Sequence, residues 1–384
     1  MRGRDHMQHR KFGKTEESVS LLGFGCMRLP QASDDTKNID EAKAIQLIRN
    51  GIDSGINYID TAWGYHGEMS EPLVGKALKD GYRDKIHLAT KLPSWLIETH
   101  EDMDKYLNLQ LEKLQTDHID FYLVHTLNQK YWDKLKACDL FAFLERIKAD
   151  GRVKHVGFSF HDELPLFKEI VDGYDWSFCQ IQLNYMDTEY QAGIEGLKYA
   201  SARDLGVVIM EPLRGGNIVN NIPNDVDRIW KSSKWPERTP ADWALRYVMD
   251  MPEVHVVLSG MGLPFEVEEN IATASSALPS HLSGEELETI NKVSNIYKER
   301  VQVNCTQCSY CMPCPAGVEI PRVFNMFNGA YVFNDIEGFK SNYNTFIRKE
   351  GHASNCTACG ACETACPQHI EIIDTMKRIV QTFE

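Results

Sequence analysis

Eight of the eleven cysteines in this sequence lie after residue 304, in two runs of four. Each run has three cysteines separated by two residues and a fourth cysteine that is followed directly by proline. The runs are Cys305, Cys308, Cys311 and Cys314, and then Cys356, Cys359, Cys362 and Cys366. Thiolates with this spacing bind the irons of a [4Fe–4S] cluster, and the fourth one often serves a second cluster. The pattern therefore predicts two [4Fe–4S] clusters, which either carry electrons or hold this region together.

Zinc binding and disulfides are the alternative uses of these cysteines. One such run could bind a zinc ion, but two runs that both end in Cys-Pro are more typical of iron–sulfur proteins. If the fourth cysteines cross over, the two ligand sets are Cys305, Cys308, Cys311 and Cys366, and Cys356, Cys359, Cys362 and Cys314. The first run is shorter by one residue before its last cysteine, and 41 residues separate Cys314 from Cys356. Helical patterns at Arg322–Phe327 and Gly338–Ile347 predict a mainly α-helical domain around the clusters.

The whole chain has 384 residues, which favours one large domain and a second small one. Its net charge of −14 disfavours nucleic acids and anionic membranes as partners, because both bind basic surfaces. No apolar run approaches the roughly 20 residues needed to span a bilayer. Cys26, Cys138 and Cys179 are scattered among apolar residues, which indicates a reducing cytoplasm. Residues 1–6 have the composition of an expression-tag remnant, so we expect the native chain to begin at Met7.

Between residues 15 and 300, short apolar or β-branched runs alternate with longer amphipathic stretches. This alternation is typical of a parallel sheet with a helix after each strand. The predicted strands are Leu21–Gly25, Ile56–Ile59, Ile86–Thr90, Ile119–Val124, Val153–Phe158, Phe178–Leu183, Val207–Met210 and Val254–Leu258. The predicted helices include Glu41–Ser54, Asp102–Leu114, Leu140–Ala149, Ile194–Leu205 and Pro240–Met249.

Eight strands in about 280 residues predict a (β/α)8 TIM barrel, which we assign to residues 7–295. The iron–sulfur domain then occupies residues 296–384. A doubly wound sheet is the alternative, but no Gly-x-Gly-x-x-Gly turn follows an early strand. We expect a long loop at Leu213–Thr239 and a linker between the domains at Asn291–Asn304.

Four polar residues follow or end the second, third and fourth predicted strands, where such a barrel has its active site. They are Asp60, Tyr65, Lys91 and His125. Each one alone would more often be a cap or an ion pair, but the four together suit carbonyl reduction. A lysine paired with Asp60 would lower the pKa of Tyr65, and a tyrosine can protonate the alkoxide that forms when hydride reaches carbon.

These residues lie in motifs that resemble the aldo-keto reductase superfamily over nearly the whole barrel. The motifs are FGKTEESVSLLGFGCMRLP, NYIDTAWGYHGEMSEPLVGKAL, LATKLP, DFYLVHTL, VKHVGFSFHD and LSGMGLPFEVEENI. The resemblance implies that Tyr65 is the general acid, that Lys91 and Asp60 tune it, and that His125 positions the carbonyl. It also implies an N-terminal hairpin that closes the bottom of the barrel. The tail resembles two-cluster ferredoxin modules that are fused to one branch of these reductases.

The same resemblance implies a set of residues that bind a nicotinamide cofactor. They are Cys26, Met27, Ser159, Gln180, Met210, Leu213, Arg214, Gly215, Glu269 and Asn270. Ser159 and Gln180 correspond to residues that hold the nicotinamide amide, whereas the usual asparagine after the serine is replaced by Phe160. Gly260 and Glu266 stand where the family often has basic residues around a 2′-phosphate. A glutamate there would repel that phosphate, which favours NADH over NADPH.

Two hypotheses of different classes follow for the function. In the first, the chain reduces an aldehyde or ketone, or oxidises the alcohol, and its clusters are structural or auxiliary. In the second, it is a one-electron transfer protein whose clusters serve a partner protein while the barrel binds the redox substrate. Because a hydride carries two electrons and a cluster takes one, a direct relay between cofactor and clusters is not expected.

Overall fold

The computed structural model describes residues 7–33, 37–220, 222–305, 310–366 and 368–384. The residues predicted to be a tag remnant, 1–6, lie outside this part. The strands are β1 His9–Lys11, β2 Ser18–Ser20, β3 Leu22–Gly25, β4 Tyr58–Asp60, β5 His87–Leu92, β6 Ile119–Leu127, β7 Val153–Phe160, β8 Phe178–Gln182, β9 Gly206–Met210 and β10 Val256–Ser259. Eight of them are parallel and close into a barrel in the order β10-β3-β4-β5-β6-β7-β8-β9. The predicted (β/α)8 barrel is confirmed, and each predicted strand is within three residues of the observed one at both ends.

The N-terminal strands β1 and β2 pair antiparallel as a separate hairpin, with His9 opposite Ser20. Phe12, in the turn of this hairpin, is fully buried and packs edge to face on Phe121 at a ring distance of 4.8 Å. The ring of Phe12 also lies 5.5 Å from that of Phe178, at the start of β8. The hairpin therefore closes the N-terminal end of the barrel, as the resemblance implied.

Helices follow the barrel strands and bury one apolar face each against the sheet. In this unit the structure contains α1 Glu41–Asp53, α2 Ser70–Ala77, α3 His100–Leu114, α4 Gln129–Ala137, α5 Leu140–Ala149, α6 Leu164–Asp172, α7 Gly193–Ser201, α9 Pro240–Met249 and α10 Pro264–Ser276. The start of α9 shows how the sequence sets a boundary: Thr239 accepts a hydrogen bond from the Asp242 N–H, and Pro240 occupies the first turn. The predicted helix Pro240–Met249 is observed with the same bounds.

The chain forms two compact units, and the second one takes part of its residues from the middle of the sequence. The first unit comprises the chain up to Gly215 together with Thr239–Ser283, and the second comprises Gly216–Arg238 and Gly284–Glu384. The helices of the second unit are α8 Asn224–Ser232, α11 Gly284–Glu299, α12 Ile320–Val332, α13 Ile336–Phe346, α14 Ala361–Ala365 and α15 Ile372–Phe383. The predicted domain boundary at residues 295 and 296 stays a prediction.

Two sequence expectations differ from these observations. The segment Leu213–Thr239 is not one long loop, because α8 lies within it, and its residues Val226 and Trp230 are buried. The expected linker Asn291–Asn304 is largely helical, since α11 continues to Glu299. Both segments are rich in polar residues, and α8 and α11, which are far apart in sequence, contact each other in the fold.

The core of the second unit is built by α12, α13 and α15. Val323 and Phe327 of α12 are fully buried, together with Tyr343 of α13 and Ile379 of α15. The Tyr343 hydroxyl donates to Glu384 Oε1 at 2.5 Å and accepts from the Ala353 N–H at 2.7 Å. This small helical core agrees with the predicted helical character of the domain. In the described part of the chain, none of the helices has the length and apolar character required to cross a membrane.

Candidate active site and metal centre

The structure brings together the four polar residues predicted at the strand ends. Lys91, in β5, donates from Nζ to both carboxylate oxygens of Asp60, at 2.7 and 2.8 Å. The same ammonium donates to the Thr61 carbonyl oxygen at 2.8 Å and lies 3.4 Å from the Tyr65 hydroxyl. Lys91 is 0% exposed and Asp60 is 2% exposed. A buried carboxylate, an ammonium and a phenol therefore form one continuous hydrogen-bonded chain.

Burial and charge act in opposite directions on the ionisable groups of this chain. Burial, the largest single effect, would lower the pKa of Lys91, but the charges and hydrogen bonds of Asp60 and Tyr65 together outweigh it, so that the net pKa of Lys91 is raised. We expected the lysine to lower the pKa of Tyr65. The ammonium has this effect, but burial is larger and the net pKa of Tyr65 lies above its ordinary value. At neutral pH Tyr65 is therefore a protonated hydrogen-bond donor, which is the form that an acid requires.

His125 lies beside the tyrosine, with its ring centre 6.2 Å from that of Tyr65. The indole of Trp95 covers the imidazole at 5.2 Å. Burial, the ammonium of Lys91 and the ring of His161 lower the pKa of His125 well below its ordinary value. The Nδ1 atom of His125 is buried and has no hydrogen-bond partner among the described residues. The ring is therefore neutral at physiological pH.

A buried polar network that the sequence analysis missed lies behind Lys91. Gln110 of α3 donates to the Lys91 carbonyl oxygen at 3.0 Å and to Glu71 Oε1 at 2.7 Å. It accepts from the Tyr122 hydroxyl at 2.7 Å, and Thr90 also donates to Glu71. Burial raises the pKa of Glu71. The sequence signal was a glutamine on the buried face of α3, where Met103, Leu107 and Leu114 are the other buried residues.

The two residues predicted to hold the nicotinamide amide are neighbours in the barrel. Ser159 of β7 pairs with Gln180 of β8, and both are buried. Ser159 Oγ accepts from the Thr126 N–H at 2.7 Å, which leaves its hydrogen available for donation. Gln180 directs Nε2 toward the sulfur of Met210 at 3.5 Å, and its Oε1 is buried without a partner among the described residues. An unsatisfied buried acceptor beside a hydroxyl donor fits a carboxamide, which offers one of each.

Phe160, which replaces the usual asparagine, is fully buried and packs on Phe167 at a ring distance of 5.1 Å. It offers no amide. Cys26 is also fully buried, with burial raising the pKa of its thiol, and its N–H donates to the Asp60 carbonyl oxygen at 2.8 Å. The neighbouring Met27 is 52% exposed. Of the residues expected beside the nicotinamide, Cys26 is therefore part of the core.

The loop after β9 contains Leu213, Arg214 and Gly215, and an arginine from another part of the sequence joins it. The side chain of Arg28 packs along Gly260. Its Nη2 atom lies so close to Gly215 that a Cβ atom at position 215 would be only 2.9 Å from it. Gly215 has a φ of 66°, which glycine adopts freely. Arg214 forms an ion pair with Asp187 at 3.3 Å. The sequence did not indicate Arg28, because its closeness to Gly215 and Gly260 arises only when the loops that contain these three residues meet in the fold.

The predicted adenine end lies on α10. Asn270 donates to the Ser259 hydroxyl at 3.0 Å, and Glu269 accepts from the Thr239 hydroxyl. Glu266 Oε2 accepts from the backbone N–H groups of Gly262 and Leu263 at 2.8 and 3.0 Å. The Glu266 carboxylate therefore caps the first turn of α10, in addition to any effect that it has on a bound cofactor.

In the second unit, one cavity collects cysteines from both sequence runs. Cys314 lines it together with Cys356, Cys359 and Cys362, while Ile320, Ile372 and Met376 supply apolar walls. Cys305, Cys311 and Cys366 are partly buried against the same core. Cys308 lies outside the described residues.

The cysteines of this cavity could bind either a zinc ion or a [4Fe–4S] cluster, and the two differ in how their thiolates are arranged. A zinc ion would draw its thiolates to within about 4 Å of one another. Among the residues that the structure describes, no three His, Cys, Asp or Glu side chains are close enough to hold a single ion. The cavity lined by Cys314, Cys356, Cys359 and Cys362 offers four thiols, the number that one [4Fe–4S] cubane binds.

Comparison with known proteins finds two family matches along the chain. Residues 21–295 match the sequence model of the aldo/keto reductase family, and residues 304–371 match that of a 4Fe-4S dicluster domain. An L-galactose dehydrogenase from Arabidopsis thaliana is 27% identical over 317 residues, covering 75% of this chain and 93% of that protein. An NADH-specific methylglyoxal reductase from Escherichia coli is 24% identical over 308 residues, covering 68% and 91%. The structure of an aldo-keto reductase from Bacillus halodurans in its holo form is 28% identical, covers 75% of this chain and 96% of that one, and superposes with a TM-score of 0.63.

Proposed function

Because this chain belongs to the aldo/keto reductase family, we propose that its barrel reduces an aldehyde or ketone with a nicotinamide dinucleotide. The observation that carries the proposal is the hydrogen-bonded chain from Asp60 through Lys91 to the hydroxyl of Tyr65, with His125 beside it. Such a chain holds a proton at one defined oxygen, next to a neutral imidazole. Proton donation to an oxygen that gains negative charge is the task for which this arrangement is suited.

When bound, a reduced nicotinamide would supply a hydride to the carbonyl carbon of the substrate. Tyr65 donates its hydroxyl proton to the carbonyl oxygen, so that the C=O bond becomes an alcohol. Lys91 stays charged beside the phenol and stabilises the tyrosinate that this transfer leaves, and solvent then restores the proton. The neutral ring of His125 donates a hydrogen bond that orients the carbonyl oxygen before the transfer.

The cofactor is proposed to lie across the carboxyl ends of the strands. Ser159 and Gln180 would bind the carboxamide, since Gln180 Oε1 lacks a partner among the described residues. Arg28 would neutralise the pyrophosphate together with the loop Leu213–Gly215. Glu269 and Asn270 would lie at the adenine end, and Met27 and Met210 would flank the nicotinamide. Cys26 supports this surface from the core.

The tail is proposed to hold two [4Fe–4S] clusters with crossed ligation. The cavity that joins Cys314 to Cys356, Cys359 and Cys362 supports this partition. The clusters are auxiliary to hydride transfer, because each exchanges single electrons. The second candidate function, electron transfer to a one-electron partner, is favoured by the exposure of Cys359 and of its neighbours Thr357 and Ala358. The free thiols Cys26, Cys138 and Cys179 support a reducing compartment such as the cytoplasm.

The test is an anaerobic assay of the full chain with NADH and a panel of small aldehydes and ketones. We expect the nicotinamide absorbance to fall in proportion to the alcohol that forms. The proposal would be contradicted if the protein bound neither NADH nor NADPH and oxidised neither of them with any carbonyl in the panel. If it instead oxidises NADH only when a one-electron acceptor is added, the second candidate function is the correct one.

The cofactor choice gives a separate prediction, because Glu266 and Gly260 replace basic residues around the 2′-phosphate. Repulsion between a carboxylate and a phosphate at a partly exposed site costs about 1–2 kcal/mol, which is roughly tenfold in affinity. We therefore expect NADH to bind more tightly than NADPH, and Glu266→Arg to raise the affinity for NADPH. The E. coli relative, whose name states NADH specificity, supports this direction.

Glu266→Gln is the matched control, because glutamine keeps an oxygen that can cap α10 but lacks the charge. It should raise NADPH affinity less than Glu266→Arg does, and it should leave the melting temperature nearly unchanged. Equilibrium titration with both dinucleotides measures the effect. Tighter binding of NADPH than of NADH by the unmodified protein would show that the assignment is wrong.

A further inference from the structure

The turn that follows Tyr65 has an unusual backbone. His66, Gly67 and Glu68 have φ angles of 52°, 58° and 75°, so three consecutive residues lie in the left-handed region. Only one of the three is glycine, and a side chain in this region is strained unless other contacts hold it. The conformation of this turn therefore depends on what His66 and Glu68 contact.

Each of these two side chains fixes the turn to a different part of the barrel. His66 is only 7% exposed, and its Nε2 accepts a hydrogen bond from the backbone N–H of Leu29 at 3.1 Å. Glu68 is exposed and pairs with Lys113 of α3 at 3.1 Å. The ammonium of Lys113 in turn lies 3.3 Å from the ring centre of Trp63. One contact leads to the loop after β3, and the other leads to α3.

The loop after β3 contains two of the side chains that we assign to the proposed cofactor site. Met27 and Arg28 directly precede Leu29, and Arg28 extends along Gly260 toward Gly215. Leu29 itself is buried. The bond between His66 and Leu29 therefore joins the turn that begins at the proposed acid to the loop that carries the proposed pyrophosphate ligand.

We propose that His66 is a positioning residue that couples cofactor binding to the placement of Tyr65. Its imidazole is buried and bonds to the backbone of Leu29, so it acts through that loop. Its imidazole fixes Leu29, so that Arg28 is held in place for the pyrophosphate while the strained turn holds the Tyr65 hydroxyl near Lys91. This inference rests on the proposed function of the barrel.

The test compares three variants of the full chain. His66→Gly keeps a residue suited to the left-handed backbone and removes the acceptor of the Leu29 N–H, and His66→Asn does the same with a side chain too short to reach Leu29. Glu68→Gln is the matched control, since it breaks the ion pair in the same turn but leaves the bond to Leu29 intact. We expect both His66 variants to raise the Kd of NADH about tenfold, which corresponds to about 1.4 kcal/mol, and to lower kcat severalfold. Glu68→Gln should change neither quantity by more than about twofold.

A purely structural role of His66 would lower the melting temperature without changing the Kd of NADH, and that result would overturn the inference. If His66→Gly does not fold, His66→Asn decides the outcome. If the proposed function itself is wrong, the unmodified protein will show no nicotinamide binding. If only this inference is wrong, the wild-type enzyme will be active and the His66 variants will bind NADH and turn over as well as the wild type.

Discussion

Tyr65→Phe is expected to lower the rate of the chemical step by about a hundredfold or more, which is the usual loss when a general acid is removed. Phenylalanine keeps the ring beside His125 but lacks the oxygen that lies 3.4 Å from Lys91. Because the Ser159 and Gln180 side chains are untouched, the affinity for NADH should hardly change. Single-turnover reduction of a carbonyl, together with NADH titration, separates the two quantities.

Tyr82→Phe is the matched control, since its hydroxyl bonds to Asp53 on the exterior of the barrel. It should leave the rate of reduction unchanged. If Tyr65→Phe reduces carbonyls as fast as the wild type, Tyr65 is not the acid. A loss of NADH affinity that accounts for the whole effect would instead assign the residue to cofactor binding.

The second large effect concerns the iron content of the tail. Anaerobically purified protein should be brown, should bleach with a strong reductant, and should contain about eight irons per chain. Because the helical core of this unit is small, metal ligation should supply much of its folding energy. Cys314→Ser and Cys366→Ser should each remove one cluster, leaving about four irons. Cys138→Ser, outside both runs, should retain all of them.

Pairs of substitutions distinguish crossed from uncrossed ligation. If Cys314 serves the cluster held by Cys356, the double variant Cys314→Ser with Cys356→Ser loses no more iron than either single variant. Cys314→Ser with Cys305→Ser then loses both clusters. The opposite pattern would show that each run binds its own cluster. A colourless anaerobic preparation that is rich in zinc would refute the iron–sulfur assignment altogether.

The sequence was sufficient for features that depend on local pattern. Apolar runs such as Ile119–Val124 and polar residues directly after them predicted the strands and the grouping of Asp60, Lys91 and His125. In a parallel barrel these positions must meet, because all strands end at the same rim. Pro240 and Thr239 likewise set a helix start that can be read without the fold.

What the sequence could not predict depends on contacts between distant segments. Arg28 becomes a candidate phosphate ligand only because the loops that contain Gly215 and Gly260 lie next to it. Gln110 looks like a misplaced polar residue until its bond to the Lys91 carbonyl is known. The pKa of Tyr65 depends on burial, which outweighs the nearby ammonium, and no motif reports that balance.

The division of the chain into two units has a consequence for its synthesis. The first unit is complete once residue 283 has left the ribosome, since Thr239–Ser283 supplies its last helices and its closing strand. The segment Gly216–Arg238, which contains α8, emerges earlier but belongs to the second unit. The helix that α8 packs against, α11, begins only at Gly284. The barrel can therefore close before the second cysteine run, which begins at Cys356, is translated, whereas α8 has no partner until α11 has emerged. Iron insertion becomes a late step of maturation, carried out on a chain whose proposed catalytic half has already folded.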